Sequence, residues 1–146
     1  ELNQASRSSM HDVRNIINNL KFRTLEEEID QLEQFFAMTD IDYHLKNDLN
    51  LSAIAPVMQS TLCMILRELS NNVIKHSQAN KCQLHLFEKD GKIAVEIEDN
   101  GVGFEKVSGH ELQSIRDRLL LVKGNITILS PRKPTIIRVE VGLKEN

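Results

Sequence analysis

The alternation of apolar and polar residues in the middle of the chain constrains the fold more than any other feature. It runs through residues 82–86, breaks at Asp90 and Gly91, and resumes through residues 93–98. An Asp-Gly pair between two alternating runs is a strong signal for a two-residue turn that joins antiparallel strands. The segment therefore predicts a β-hairpin with one buried face, whose second strand leads to Asp99.

Helical periodicity surrounds this hairpin. Thr24 and Glu27 have the spacing of a capping box, and Pro56 suits the first turn of the longest helix. Gly124 is placed to cap the C-terminus of a further helix, and residues 46–51 are predicted to form a loop. Three helices and two further strands are predicted, at 24–36, 56–76, 111–123, 126–128 and 137–141. Helices on one side of a largely antiparallel sheet indicate an α/β two-layer sandwich.

The N-terminal residues carry a separate helical pattern. Met10, Val13, Ile17 and Leu20 recur at heptad-like spacing, which suits packing against another helix. The seam is too short to be a coiled coil on its own. Because the chain also opens on Glu1 and not on Met, we interpret it as an excised piece of a longer protein or a processed product.

Composition limits the classes of partner. The chain has 146 residues, enough for one domain with a sizeable core, and its formal net charge of −3 disfavours a general electrostatic grip on nucleic acid. No apolar run approaches the roughly 18 to 20 residues that a membrane span needs. Cys63 and Cys82 both lie in apolar runs and are expected to be buried, reduced thiols.

A polar arc interrupts the apolar surface of the longest predicted helix. At 100° per residue, Glu68, Asn71, Asn72 and Lys75 fall within one arc of about 100°. Glu68 and Asn72 lie one turn apart, and a carboxylate and an amide oxygen suit Mg²⁺, which takes few protein oxygens. The alternative is an ordinary solvent-exposed face, although such faces usually carry better helix formers than asparagine.

Two closely spaced glycines follow the hairpin. Asp99 ends the second strand, and Gly101 and Gly103 would let the backbone approach a bound ligand. An ordinary Asn-Gly turn is the alternative interpretation of this segment. The pattern is neither a P-loop, since Ile93 follows the only Gly-Lys pair, nor a dinucleotide fingerprint, since the third glycine is missing.

Taken together and in this order, the two motifs resemble those of a known family. LRELSNNVIKHSQA (residues 66–79) is similar to the N box of the GHKL, or Bergerat-fold, ATPases, and VEIEDNGVGF (residues 95–104) to their G1 box. Three features resemble the DesK/NarX/LiaS group of bacterial sensor histidine kinases: the Lys75-His76-Ser77 ending of the N box, the hairpin after it, and SIRDRLLLVKGNITI (residues 114–128). The resemblance implies an α+β Bergerat sandwich: a mixed, mostly antiparallel sheet with three helices on one face, and ATP on the other side under a mobile lid.

The resemblance also implies roles for individual residues, with ATP and Mg²⁺ as ligands. Glu68 would be the catalytic general base or water-orienting group, and Asn72 would bind the Mg²⁺ of the nucleotide. Asp99 would accept the adenine amino group. The other implied nucleotide-binding residues are Lys75 and His76 near the phosphates, Gly101 and Gly103 at the base of the lid, Gly109 in the second glycine box, and Thr135 beside Asp99.

The second glycine box departs from the family pattern. Of its glycines only Gly109 is retained, while Glu111 and Ser114 replace two others and Pro134 replaces the glycine before Thr135. Glu111 would bring negative charge and bulk towards the phosphates. We therefore expect ATP binding to be weaker than in relatives with the complete box.

His11 resembles the opening of the phosphoacceptor motif of this group but does not complete it. Ile16 stands where the family has a glutamine, and His11 is too close to Glu68 in the chain to leave room for the helical hairpin between them. We expect His11 to be a surface residue. Residues 1–21 would be the C-terminal end of a truncated dimerisation helix that lacks the phosphoacceptor helix, and residues 22–146 the catalytic domain.

The function implied is that of the ATP-binding catalytic domain of a two-component sensor histidine kinase. It would transfer the γ-phosphoryl group of Mg·ATP to a histidine outside this chain. The implied partners are the dimerisation and phosphoacceptor domain of the same kinase and a response regulator of the NarL type. The parent would be a homodimeric, membrane-bound sensor with this domain in the cytoplasm, without direct contact to membrane or nucleic acid. Two alternatives remain open: a degenerate domain that serves as an interaction module, and a Bergerat-fold serine kinase acting as an anti-sigma factor.

Overall fold

The structure, a computed structural model, describes residues 24–104 and 112–142. Its helices and strands, in chain order, are α1 (Leu25–Ala37), β1 (Asp42–Asn47), a 3₁₀ turn (Leu51–Ala53), α2 (Pro56–Asn72), which continues into a π-helical turn (Val73–Ser77), β2 (Lys81–Lys89), β3 (Lys92–Asp99), α3 (Gln113–Leu120), β4 (Asn125–Pro131) and β5 (Thr135–Gly142). The predicted seam from Met10 to Leu20, the proposed boundary after residue 21, and His11 lie outside the described residues.

The strands form one five-stranded sheet in the order β1-β2-β3-β5-β4. β1 pairs with β2 in parallel, and the other three pairings are antiparallel. One buried cluster joins inward side chains of the helices with those of the strands, such as Leu66, Leu84 and Val139, whereas Gln83 and Glu98 on the other face are exposed. The predicted two-layer α+β sandwich with helices on one face is confirmed.

The hairpin forms where the sequence predicts it. Asp90 and Gly91 both have positive φ angles, 53° and 76°, the backbone that a tight turn between twisted strands requires. Lys89 then pairs with Lys92, and the register places Leu84 opposite Ile97 on the buried face. Cross-strand pairs of this kind fix which side chains face the helices, so the hairpin also fixes where Asp99 ends up.

Polar contacts fix α1 against α2. The predicted capping box is present, because the Thr24 side chain accepts from the Glu27 amide and the Glu27 side chain accepts from the Thr24 amide. The side chain of Gln59 on α2 accepts the Leu25 amide at 2.9 Å. Arg67 on α2 pairs with the buried carboxylate of Glu28. These contacts make α2 a fixed support for the side chains that it presents on its other faces.

Two local predictions are wrong. Residues 46 and 47, assigned to a loop, belong to β1, a strand that the sequence pattern does not reveal because its residues are exposed or only half-buried. After α3 it is Lys123, with φ 54°, that adopts the left-handed conformation, not Gly124. Gly124 is needed for space instead, because a Cβ there would lie 2.8 Å from the Glu140 carbonyl oxygen. Both cysteines are buried and neither forms a disulfide within the described residues, as expected.

Candidate functional site

A cavity of about 490 Å³ lies between α2 with its π-helical turn and the ends of β3 and β5. This volume is within the range of small-molecule sites. We call the residues from α2 and the π-helical turn the helix wall: Glu68, Leu69, Asn72, Val73, His76 and Ser77. We call the residues from β3, β5 and the segment after β3 the strand wall: Asp99, Gly103, Phe104, Thr135 and Ile137. Leu112 and Ser114 complete the lining.

The cavity lies on the helix-covered face of the sheet, so the expectation that the ligand lies on the opposite face is wrong. Side chains alternate across a strand, and Asp99 continues the inward row of Ile97. Thr135 likewise continues the inward row of Ile137 and Val139. The strand residues of the implied site therefore point towards α2.

Asp99 is a buried acid at the floor of the strand wall. The residue is 5% exposed, and its Oδ1 accepts the Gly101 amide at 2.8 Å. Burial raises the pKa of this carboxyl above its ordinary value of 3.8, the Gly101 amide partly offsets that effect, and nearby Glu98 adds to it. Thr135 pairs with Asp99 across the two strands. A buried carboxylate with remaining acceptor capacity favours a ligand that presents an N–H group.

The two glycines after Asp99 differ in their positions. A Cβ on Gly101 would lie 2.1 Å from the Ser77 carbonyl oxygen, which also accepts the Val102 amide at 2.6 Å. Gly103 has φ +66°, and a Cβ there would lie 2.3 Å from the Pro131 carbonyl oxygen. Gly103 lines the cavity, whereas Gly101 packs behind it against the π-helical turn. Each glycine permits a close approach that no other residue allows.

Asn100 is a structural residue that the sequence analysis overlooked. Its side-chain oxygen accepts the amides of Asn80 and Lys81, both at 3.0 Å, and its nitrogen donates to the Asn80 side chain at 2.6 Å. These bonds attach the end of β3 to the start of β2. The segment is thus more than an ordinary Asn-Gly turn, because these bonds also fix the position of Asp99, the residue before Asn100.

The helix wall brings together Glu68, Asn72 and His76, whereas Lys75 does not line the cavity. The prediction that Lys75 shares the arc of Glu68 and Asn72 assumes α-helical geometry to residue 76. The turn Val73–Ser77 is π-helical, with a wider i to i+5 spacing, and His76 and Ser77 are the polar residues of this turn that line the cavity. The interpretation of the arc as a plain solvent face is wrong for Glu68 and Asn72, the two residues of the arc that line the cavity.

Only some residues of the altered second glycine box lie within the described residues. Ser114 lines the cavity near the start of α3, and Leu112, with φ 61°, precedes it. Gly109 and Glu111 lie outside the described residues.

Sequence reasoning missed Arg118 of α3. Its Nε lies 3.6 Å from the Glu68 Oε1, and its Nη1 donates to the Met64 Sδ at 3.3 Å. Arg118 lies within SIRDRLLLVKGNITI (residues 114–128), a segment that resembles the sensor histidine kinase group, but the resemblance assigns no role to this residue. Its contact with Glu68 depends on how α3 packs against α2.

The helix wall fits a magnesium ion that is shared with phosphates. Within residues 24–104 and 112–142, no group of three or more His, Cys, Asp or Glu side chains is arranged to hold a metal by itself. Glu68 and Asn72 do present carboxylate and amide oxygens to one cavity. Mg²⁺ commonly takes one or two protein oxygens and completes its shell with water and phosphate.

Comparison with known proteins gives consistent matches. The family model described as histidine kinase-, DNA gyrase B-, and HSP90-like ATPase matches residues 58–144. The sensor histidine kinases YvfT and DesK of Bacillus subtilis are 29% and 28% identical to this chain over 145 and 131 residues. These alignments cover 98% and 86% of this chain but only 39% and 35% of the relatives.

A solved structure matches the fold over almost the whole chain. The histidine kinase AdeS of Acinetobacter baumannii superposes with a TM-score of 0.70 at 16% identity, covering 99% of this chain and 82% of that one. At such low identity the match concerns the fold alone. In the described part of this chain, every helix is too short or too polar to cross a membrane.

Proposed function

Because this chain belongs to the family of histidine kinase-, DNA gyrase B- and HSP90-like ATPases, we propose that its cavity binds Mg·ATP for phosphoryl transfer to a protein histidine. The observation that carries the proposal is the buried Asp99 carboxylate facing, across one cavity, the oxygens of Glu68 and Asn72. An acceptor at one wall and oxygen ligands at the other match a nucleotide's base and its metal-bound phosphates.

The strand wall would bind the adenine. Asp99 would accept an N–H of the exocyclic amino group, with Thr135, its cross-strand neighbour, as a second polar group. Leu69, Val73 and Ile137, which line the cavity, would supply the apolar surface for the base. Guanine presents an acceptor where adenine presents this donor, so it would leave the buried carboxylate unpaired.

The helix wall would bind the phosphates. Asn72 is the residue that would hold Mg²⁺, which when bound neutralises charge on the phosphate oxygens. His76 lines the same region, and exposed Lys75 lies one residue before it. Glu68 would accept a proton from the attacking nucleophile or orient it. Phosphoryl transfer needs mainly positioning and charge stabilisation, which these few groups can supply.

The acceptor histidine would lie outside this chain. Matches to sensor histidine kinases, of which this chain spans about a third, support a parent kinase that also contains a dimerisation and phosphoacceptor domain. A NarL-type response regulator, a homodimeric parent, and a cytoplasmic position for this domain belong to the same proposal. Residues 1–21 would then end the dimerisation helix, with His11 on its surface.

A second candidate function is that of a domain that has kept the fold but lost the ability to bind nucleotide. Ser114 lines the cavity where a glycine is expected, and Glu111 replaces another glycine of the same box. A side chain at such positions opposes the close approach of phosphate. On this reading the domain would act only through contacts with other proteins.

Calorimetric titration with Mg·ADP distinguishes the two candidates. We expect measurable binding by the wild type and about 100-fold weaker binding by Asp99→Asn, because the amide brings a donor towards the adenine donor. Glu98→Gln is the matched control, since Glu98 is exposed on the opposite face of the same strand. Absence of wild-type binding at millimolar nucleotide would refute the kinase proposal and favour the interaction module.

A further inference from the structure

The Glu68 carboxylate in the cavity is approached by a residue that does not itself line the cavity. Glu68 is a quarter exposed on the helix wall, and the Arg118 guanidinium of α3 approaches it with Nε 3.6 Å from Oε1. Arg118 itself does not line the cavity. It reaches Glu68 from the α3 side of α2, and an effect on the reaction would therefore act through the carboxylate.

The guanidinium is held at two points. Nη1 donates to the Met64 Sδ at 3.3 Å, and Met64 lies one helical turn before Glu68 on α2. Arg118 thus spans two successive turns of the helix. Lysine, a point charge on a flexible stem, has no second nitrogen with which to make both contacts.

The Nε atom of this guanidinium faces the Glu68 carboxylate without a full hydrogen bond. Among the described residues, Arg118 Nε is a solvent-shielded nitrogen without a hydrogen-bond partner, although Glu68 Oε1 lies at 3.6 Å. A shielded N–H without a partner is unfavourable, so the carboxylate has a clear reason to remain against it. A shift of a few tenths of an ångström would complete a charge-assisted bond.

We infer that Arg118 is a positioning residue for the reaction, holding one oxygen of Glu68 so that the other remains available to the reacting group. This inference rests on the proposed function and deepens it. Positioned acids and bases lose efficiency when their orientation is released, even if the substrate still binds. The role therefore affects the rate of turnover and leaves nucleotide affinity almost unchanged.

The test measures Mg·ATP hydrolysis by the 146-residue chain, with γ-labelled ATP, at several ATP concentrations. Arg118→Gln is expected to lower kcat about tenfold and to change KM by less than about twofold. Arg118→Lys restores the charge but not the second contact, and should recover only part of the rate. Lys89→Gln, an exposed cation at the hairpin tip, is the matched control and should match the wild type.

A double-mutant cycle with Glu68→Gln isolates the coupling. If Arg118 acts through Glu68, the double variant has the kcat of Glu68→Gln alone. Additive losses, or a wild-type kcat in Arg118→Gln, would overturn the inference. So would KM changes that match the kcat losses, because they indicate general disruption; circular dichroism and Mg·ADP affinity check the folding of each variant.

Failure of the inference and failure of the proposed function give different results. If the wild type neither binds Mg·ADP nor hydrolyses ATP, the proposed function is wrong. Normal wild-type binding and turnover with an unaffected Arg118→Gln leaves the function standing and removes the role of Arg118. Binding without any hydrolysis leaves nucleotide binding standing and overturns a role of Arg118 in activating water through Glu68.

Discussion

The two walls of the cavity differ in what holds their functional groups in place. On the strand wall, backbone amides make the fixing bonds: Gly101 donates to Asp99 at 2.8 Å, and Phe104 donates to the Pro131 carbonyl at 2.8 Å. On the helix wall, the Glu68 carboxylate is approached by another side chain, Arg118, at 3.6 Å. The positions of the functional groups therefore depend on the backbone path at the strand wall, and on side-chain contacts between α2 and α3 at the helix wall.

This difference separates two kinds of substitution. A change that disturbs the backbone path at the strand wall affects folding and binding together, because the same bonds serve both. A change of one side chain on the helix wall leaves the helix intact and alters only the chemistry that it presents. Binding specificity and turnover should therefore be separable by mutation in this domain.

The largest expected effect is a loss of stability in Gly101→Ala, at the residue that packs behind the strand wall. Its Cβ would lie 2.1 Å from the Ser77 carbonyl oxygen, so the backbone must move, at a cost of about 3 kcal/mol in unfolding free energy. Gly91→Ala is the control, because it has a positive φ but nothing within 4 Å, and should cost only about 1 kcal/mol. Urea denaturation measures both, and equal losses would show that the close contact is unimportant.

The next effect concerns the helix wall alone. If Asn72 holds Mg²⁺, removing the ion with EDTA should weaken ADP binding by the wild type about tenfold, or about 1.4 kcal/mol. Asn72→Ala should abolish this dependence on magnesium. Asn71→Ala, the neighbouring asparagine outside the cavity lining, is the matched control and should retain it. Calorimetry with and without EDTA gives the answer, and a magnesium dependence that persists in Asn72→Ala would exclude this role.

A smaller effect separates stability from binding at the strand wall. Burial raises the pKa of Asp99, so the charged form opposes folding and the wild type loses stability as pH rises from about 3.8 through the folded-state pKa. Asp99→Asn carries no charge and should be more stable than wild type at neutral pH, while binding nucleotide poorly. Thermal unfolding from pH 3 to pH 8 tests this expectation. A stability difference that does not change with pH would contradict it.

The smallest effect concerns the incomplete glycine box. Glu111→Gly should raise ATP affinity about threefold, because it removes a negative charge expected near the phosphates. Exposed Glu88→Gln at the hairpin removes an equal charge far from the cavity and serves as the control. Nucleotide titration of both variants measures the difference. No gain for Glu111→Gly would mean that the altered box does not limit binding.

The parts of the fold that were predictable from sequence are those set by local chemistry. The turn at Asp90 and Gly91 and the capping box at Thr24 depend on neighbours a few residues away, and both form as predicted. β1 was missed because it is exposed or half-buried and gains its pairing from β2, which is distant in the chain. Its residues carry no periodic signal strong enough to predict a strand.

In the site, too, residues that belong to local motifs were predicted, and contacts that depend on distant packing were not. Asp99, Gly103 and Thr135 were predicted from a motif, and the structure brings them to one cavity. Lys75 was predicted to lie near the phosphates and does not line the cavity, since a π-helical turn cannot be predicted from helical periodicity. Arg118 was absent from the prediction because its contact depends on the packing of one helix on another.

The parallel pairing of β1 with β2 has a consequence for how the domain assembles. β2 and β3 are joined by a two-residue turn and can pair early, whereas β1 can join them only after the whole of α2 has been accommodated between. Long-range parallel pairing of this kind is slow, because the loop must close before any contact is gained. Strand β1, one of the two edge strands, should therefore join the sheet after β2 and β3 have paired, and its amide protons should exchange with solvent before theirs.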